Sequence, residues 1–290
     1  MRMNYKVGGL FTGVGGIELA FEKSGFDIAW SNEIDSFCVK TCKLNFSHKI
    51  YDCDIKNLNG NDLEPVDVLC GGFPCQAFSI AGYQKGFKDD RGNIFFEIIR
   101  LINELERKPR VLFLENVKNL KGHDKGKTLK IIYETITDNG YSVFCNVLNT
   151  SDYTKIPQNR ERTFLICFRD EKDWEFSKNF QKTSSYKFSQ IFPPPKLNSP
   201  NHVGKYLEKK VDDKYIYGEE KYMYKELKKT MKSEDTFYQW RRKYVRENKS
   251  NLCPTLTANM GTGGHNVPLL SQNGIYRKLK PRECFKLQVF

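Results

Sequence analysis

The chain of 290 residues is long enough for one large domain and a smaller one, and 39% hydrophobic with 13% aromatic residues excludes a disordered class. No apolar run approaches the ~20 residues needed to span a bilayer, and Met1 to Lys6 lacks the basic-then-apolar layout of a secretory leader. The net charge of +12 fits either a polyanionic partner or a lysine-rich solvated surface, and nine cysteines without paired spacing point to free thiols in a reducing compartment.

Tyr5 to Phe11 reads as a short strand running into Thr12-Gly13-Val14-Gly15-Gly16. Ile17 to Ser24 follows with helical spacing (Ile17, Leu19, Ala20, Phe21) and stops at Gly25. Strand, glycine turn and helix open a nucleotide-binding unit, where glycines let the backbone approach a ligand at the helix N-terminus. Phe26 to Ser31 is the next strand. Glu33 after it suits a ribose hydroxyl, or else is the N-terminal acid of a helix over Ser36 to Asn45. Cys38 and Cys42 fit one face of that helix better than a metal site. His48 to Cys53 is a third strand, closed by Asp54.

Val66 to Cys70 is an apolar run that Gly71 and Gly72 are expected to stop, ahead of Phe73-Pro74-Cys75-Gln76. Cys75 thus falls just past the carboxyl end of a buried strand, where open α/β sheets place their ligands. Pro74 fixes its own φ and holds Phe73 extended. The thiol is then either a nucleophile or a buried structural cysteine. A polar loop with glycines at 82, 86 and 92 precedes an amphipathic helix over Asn93 to Glu106. Val111 to Leu114 is a strand that ends in Glu115-Asn116-Val117, and Lys127 to Asp138 is helical. Tyr141 to Leu148 and Thr163 to Phe168 are strands. Between them, Arg160 and Arg162 project on one side if the segment is extended. The β-α-β-α-β order predicts a mostly parallel sheet covered by helices on both faces. Periodicity weakens from about Asp170, and a domain boundary is expected near residue 171. Between Glu171 and Ser250, 19 Lys+Arg face 12 Asp+Glu, so seven of the twelve excess charges fall there.

In order, these segments resemble the cytosine-5 DNA methyltransferases of bacterial restriction–modification systems. Phe11-Thr12-Gly13-Val14-Gly15-Gly16 looks like the cofactor motif, Asn32-Glu33-Ile34-Asp35 like the ribose motif and Asp54-Ile55 like the adenine pair. Gly72-Phe73-Pro74-Cys75-Gln76 matches the nucleophile motif, Glu115-Asn116-Val117 the acid motif and Gln158-Asn159-Arg160-Glu161-Arg162 the Q-x-R-x-R motif. Arg277-Lys278-Leu279-Lys280-Pro281-Arg282-Glu283-Cys284 resembles the late structural motif. The resemblance implies an α/β, Rossmann-like S-adenosylmethionine-dependent sheet over residues 1–171. It also implies a smaller target-recognition domain over 172–276 and a return segment over 277–290.

The resemblance further implies a cytoplasmic bacterial enzyme acting on flipped cytosine in duplex DNA. Catalysis would fall to Cys75, Glu115, Arg160 and Arg162. S-adenosylmethionine would meet Phe11, Gly13, Gly15, Glu33, Ile34, Asp54, Ile55 and Pro74, with Ile34 standing where some relatives stack an aromatic on adenine. DNA contacts would come from Ser79, Arg91, Gln158, Arg241, Arg242, Thr255 and Thr257. The sequence ends at Gln288-Val289-Phe290, where relatives continue with Gly-Phe-Pro and a Gly-Asn-Ser segment. That departure sets the expectation of weak activity for the chain alone, with a second polypeptide as one source of the remainder. The competing readings are a transfer-RNA cytosine methyltransferase and a catalytically degenerate DNA-binding relative.

Overall fold

The computed structural model describes residues 5–74, 94–169, 191–192, 194–195, 199–241, 243–257, 260 and 267–288. Two compact units are present: Met1–Val147 with Arg162–Pro194, and Leu148–Glu161 with Pro195–Phe290. In chain order the first elements are β1 (Lys6–Leu10), α1 (Gly16–Lys23), β2 (Asp27–Glu33), α2 (Ser36–Asn45) and β3 (Lys49–Asp52). Then come β4 (Val68–Gly72), α3 (Ile94–Glu104), β5 (Val111–Val117), α4 (Lys127–Asp138), β6 (Ser142–Asn149), the one-turn α5 (Thr150–Tyr153), β7 (Gln158–Asn159) and β8 (Glu161–Phe168).

The large sheet has the order β3-β2-β1-β4-β5-β8-β6. Strands β1 to β5 pair in parallel, and β8 runs antiparallel to β5. Strand residues alternate between two apolar layers, as a period of two requires. Leu10, Leu69, Leu112 and Leu165 pack with Phe95, Ile98 and Ile102 of α3 and with Ile132 and Ile136 of α4. Val7, Val68 and Cys70 face the other way, against Ile17 and Phe21 of α1. Helices therefore cover both faces, as the element order predicts.

Two local expectations need correction. Gly71 and Gly72 do not stop β4; they continue it, pairing with Leu114 and Glu115. They are glycines for want of room, since a Cβ on Gly71 would lie 2.7 Å from the Leu10 carbonyl oxygen. In α1 the buried residue is Glu18, whereas Ala20 is exposed. Glu18 shares the inward face with Ile17 and Phe21, and only Ala20 of the predicted apolar set points outward.

The second unit contains α6 (Tyr224–Thr230), β9 (Tyr238–Arg241), β10 (Tyr244–Glu247), β11 (Cys253–Pro254), β12 (Pro268–Gln272), β13 (Ile275–Lys278) and α7 (Pro281–Lys286). Four of these strands form an antiparallel sheet in the order β10-β9-β12-β13. One layer joins Val203, Phe237, Leu270, Leu279 and Leu287; another joins Met223, Leu227, Tyr238, Val245 and Leu269. The units divide the chain at 147/148, 161/162 and 194/195 rather than near 171. Residues 148–161 go with the second unit because β7 pairs with β11. In the same unit Asn201 N–H donates to the Lys155 carbonyl at 2.8 Å. Among the described residues no helix is long and apolar enough to cross a membrane.

Candidate active site

The turn after β1 is built from backbone that few residues adopt. Phe11 has φ 54, Gly13 φ 57 and Gly15 φ 88. A left-handed non-glycine residue costs on the order of 1–3 kcal/mol, and such residues gather at ligand sites. Gly15 caps α1, and a Cβ there would lie 2.2 Å from the Phe46 ring, so glycine is required twice over. Gly13 N–H donates to Glu33 Oε2 at 2.6 Å, while Ile34 N–H and Asp35 N–H donate to Glu33 Oε1 at 2.9 and 2.8 Å. The sequence left Glu33 open as a helix-capping acid. That duty falls to Asp35, whose Oδ1 accepts Phe37 N–H and Cys38 N–H, both at 2.9 Å.

Ile34 is 64% exposed beside this carboxylate, an apolar side chain left uncovered. Asp54 accepts Lys56 N–H at 3.0 Å. Ile55 is buried in the main core, and its carbonyl accepts Leu58 N–H at 3.1 Å and Arg100 Nη2 at 2.9 Å.

At the end of β5, Glu115 and Arg162 form an ion pair, Nε to Oε1 2.7 Å, with both side chains largely buried. Arg162 stands two residues along because β8 runs antiparallel, with Val117 opposite Arg162. A Cβ on Gly72 would lie 3.2 Å from Glu115 Oε2, so the carboxylate leans over the end of β4. Asn116, 2% exposed, donates from Nδ2 to the Phe73 carbonyl at 2.8 Å and accepts Val117 N–H at 2.8 Å. It ties the last peptide before Pro74 to the acid strand. The sequence reading quoted Asn116 within the acid motif but assigned it no role. Asn116→Ala should cost about 1–3 kcal/mol of stability, since it removes the buried bond from Nδ2 to the Phe73 carbonyl. Urea denaturation of the variant against the unaltered chain measures this.

Other expected site residues divide clearly. Cys75, Ser79, Arg91 and Arg242 lie outside the described residues. Gln158, expected at DNA, is 1% exposed and gives Nε2 to the Leu287 carbonyl at 2.9 Å. It is an internal tie of the second unit rather than a surface reader. Arg160 belongs to that unit too, its N–H donating to Asn149 Oδ1 at 2.9 Å and its carbonyl accepting Thr150 N–H at 3.1 Å. Thr255 Oγ1 donates to the Asn159 carbonyl at 2.7 Å. Thr257 carries the carbonyl that accepts Met260 N–H at 3.1 Å. Arg241 and Arg246 each donate from Nη2 to Gln239 Oε1, at 3.1 and 2.6 Å.

Residues 5–290 match the family model described as C-5 cytosine-specific DNA methylase. The chain belongs to that family. The methylase is 49% identical to the Type II methyltransferase M.Bsp6I of Bacillus sp. (strain RFL6), across 98% of this chain and 86% of that protein. It is 44% identical to M.HhaI of Haemophilus parahaemolyticus, across 61% of this chain and 54% of that protein. Among solved structures, S. pombe Dnmt2 methyltransferase overlays with a TM-score of 0.72 at 17% identity, covering 98% of this chain and 86% of that one. That overlay speaks for the fold alone. By family, the methylase is a cytosine-5 DNA methyltransferase of the restriction–modification type. Nothing in these comparisons supports the expected second polypeptide.

Proposed function

We propose that the chain transfers a methyl group from S-adenosylmethionine to carbon-5 of a cytosine flipped out of a specific duplex DNA site, through a covalent bond to Cys75. The observation that carries this reading is the Glu115–Arg162 pair at the end of β5, leaning over the strand that leads to Pro74 and Cys75. Carbon-5 of cytosine is a poor nucleophile until a group adds at carbon-6, so a thiolate at Cys75 adding there makes carbon-5 electron-rich. Charge moves toward ring nitrogen-3, where Glu115 shares a proton with it. Arg162 holds Glu115 in place and is assigned to the ring carbonyl oxygen. S-adenosylmethionine supplies the electrophilic methyl group. Loss of the carbon-5 proton and departure of the Cys75 sulfur then restore the ring.

The turn fits that donor. Left-handed glycines bring backbone close to a ligand, and Glu33 at the end of β2 has lone pairs for ribose hydroxyls beyond those its three N–H partners use. Exposed Ile34 offers an apolar face to adenine, and Phe11, Asp54, Ile55 and Pro74 complete the set. Arg160 is assigned a supporting role by its motif alone. Flipping the base costs roughly a few kcal/mol. The basic second unit repays this through phosphate contacts, with Arg241, Arg242, Thr255, Thr257, Ser79 and Arg91 assigned to DNA.

A duplex carrying 5-fluorocytosine should trap the chain as a covalent adduct stable to denaturing electrophoresis. Bisulfite sequencing of a plasmid expressing the chain should show 5-methylcytosine at one recurring motif. Absence of both adduct and mark overturns the reading.

A further inference from the structure

Glu18 is the buried residue of α1, 1% exposed, and its carboxyl lies against β1. A Cβ on Gly9 would lie 2.1 Å from Glu18 Oε1, so the strand forgoes a side chain to admit it. Oε1 accepts the Thr12 hydroxyl at 2.8 Å, while Oε2 has no hydrogen-bond partner. Thr12 sits between the left-handed Phe11 and Gly13. Its carbonyl accepts Gly15 N–H at 2.9 Å, and its N–H donates to the Asn32 carbonyl at 3.2 Å. One buried acid thus grips the middle of the turn from beneath. Leaving a polar oxygen unpartnered in the interior is costly, and a leucine would fill the space without that cost.

We propose that Glu18 is a positioning residue for the methyl donor, fixing through Thr12 the turn whose glycines face it. This rests on the donor reading given above. With hydrogen bonds only from Thr12 and its own backbone N–H and with full burial, the uncharged acid is the form burial favours. Burial first, and then the Glu33 carboxylate, push Glu18 up to about 7, against hydrogen bonds from its own backbone N–H and from Thr12 that pull it down. The other titratable groups facing it are Cys42 of α2, pushed up to about 11 chiefly by burial, and Cys70 of β4, also raised by burial. Both thiols stay neutral while Glu18 titrates. The Thr12 hydrogen bond itself pulls the pKa down, so the link holds with the carboxyl in either form and is cut by removing the acceptor oxygen or the hydroxyl, not by titration. Cutting it should weaken donor binding on the order of tenfold.

Calorimetric titration with S-adenosylhomocysteine at one fixed pH tests this without turnover. Glu18→Leu and Thr12→Val, which each cut the link, should both bind the probe about tenfold more weakly. Glu18→Gln and Thr12→Ser, which keep the acceptor oxygen and the hydroxyl, should stay near the unaltered affinity. Melting temperatures establish that each variant is folded, and if Glu18→Leu is not, Thr12→Val against Thr12→Ser carries the test. Unaltered affinity in folded Thr12→Val overturns the proposal. No binding by the unaltered chain overturns the donor reading itself, and this inference with it.

Discussion

Glu115→Gln should lower the single-turnover rate of methyl transfer by about 10²- to 10⁴-fold, the range that a positioned acid–base group contributes. Glutamine keeps the shape of the side chain and one carbonyl oxygen for Arg162, so the fold around β5 should survive. It has no proton to share with the ring and no charge to hold the guanidinium 2.7 Å away. The loss should appear in the rate of chemistry, with S-adenosylhomocysteine affinity unchanged, because the donor is assigned to the turn after β1 and not to β5. Trapping on 5-fluorocytosine DNA should slow in parallel, and Cys75→Ala, run beside it, should form no adduct at all. A glutamine variant that transfers methyl at the unaltered rate would remove Glu115 from the chemistry, whatever its motif.

Much of the first unit was legible because its elements are defined locally. α2 and α4 fall on the predicted residues, since each is a periodic run with a polar start and a clear stop. The strands near the site were drawn too short or shifted. β5 continues through Glu115 and Asn116 to Val117, and β4 through Gly71 and Gly72. Polar and glycine residues read as strand ends in one dimension. Here they stay in the ladder because β8 and the acid strand pair with them across more than forty residues of sequence. Glu18 was invisible for a related reason. A glutamate between Ile17 and Leu19 looks solvated until Gly9, nine residues earlier, is seen to make room for it.

In the second unit the strands of the antiparallel sheet are four or five residues long, and β9 and β10 carry arginine and glutamate. Their partners are set by distant register rather than by local pattern, so the antiparallel sheet left no clear mark in the sequence. The site motifs fared better than the elements that carry them. Glu115 and Arg162 are 47 positions apart, yet the antiparallel pairing of β5 with β8 brings them together. Gln158 shares a motif with Arg162 and does a different job, tying down Leu287. Proximity in a motif did not mean a common task.

Glu283→Gln should destabilise the second unit by about 3–5 kcal/mol, the usual cost of breaking a fully buried ion pair from one side. Arg277 and Glu283 are 1% and 0% exposed in their side chains, with Nη2 to Oε1 at 2.8 Å and Nη1 to Oε2 at 2.9 Å. The carboxylate also accepts Lys280 N–H and Glu208 N–H, each at 2.7 Å, and the guanidinium donates to Gln272 Oε1 at 2.7 Å and to the Lys278 carbonyl at 3.1 Å. The pair therefore joins β13, α7 and the 208 segment in one network. Glutamine leaves a buried cation without its counter-charge and, with one oxygen in place of two, removes the acceptor from one of the two backbone N–H groups. Against a typical domain stability of about 5–15 kcal/mol this is a large share. The melting transition of the unit should drop by more than about 10 °C. Fluorescence of Trp240, which packs in the second unit, should report the shift, while Trp30, buried in the first, should melt where it did before. Replacing both partners with apolar residues, Arg277→Met with Glu283→Leu, should recover only part of the loss, because no charge is then stranded but Lys280 N–H and Glu208 N–H lack their acceptor. If the single variant melts as the unaltered chain does, the pair is not what holds α7 to β13, and the network around Glu208 must carry that load instead.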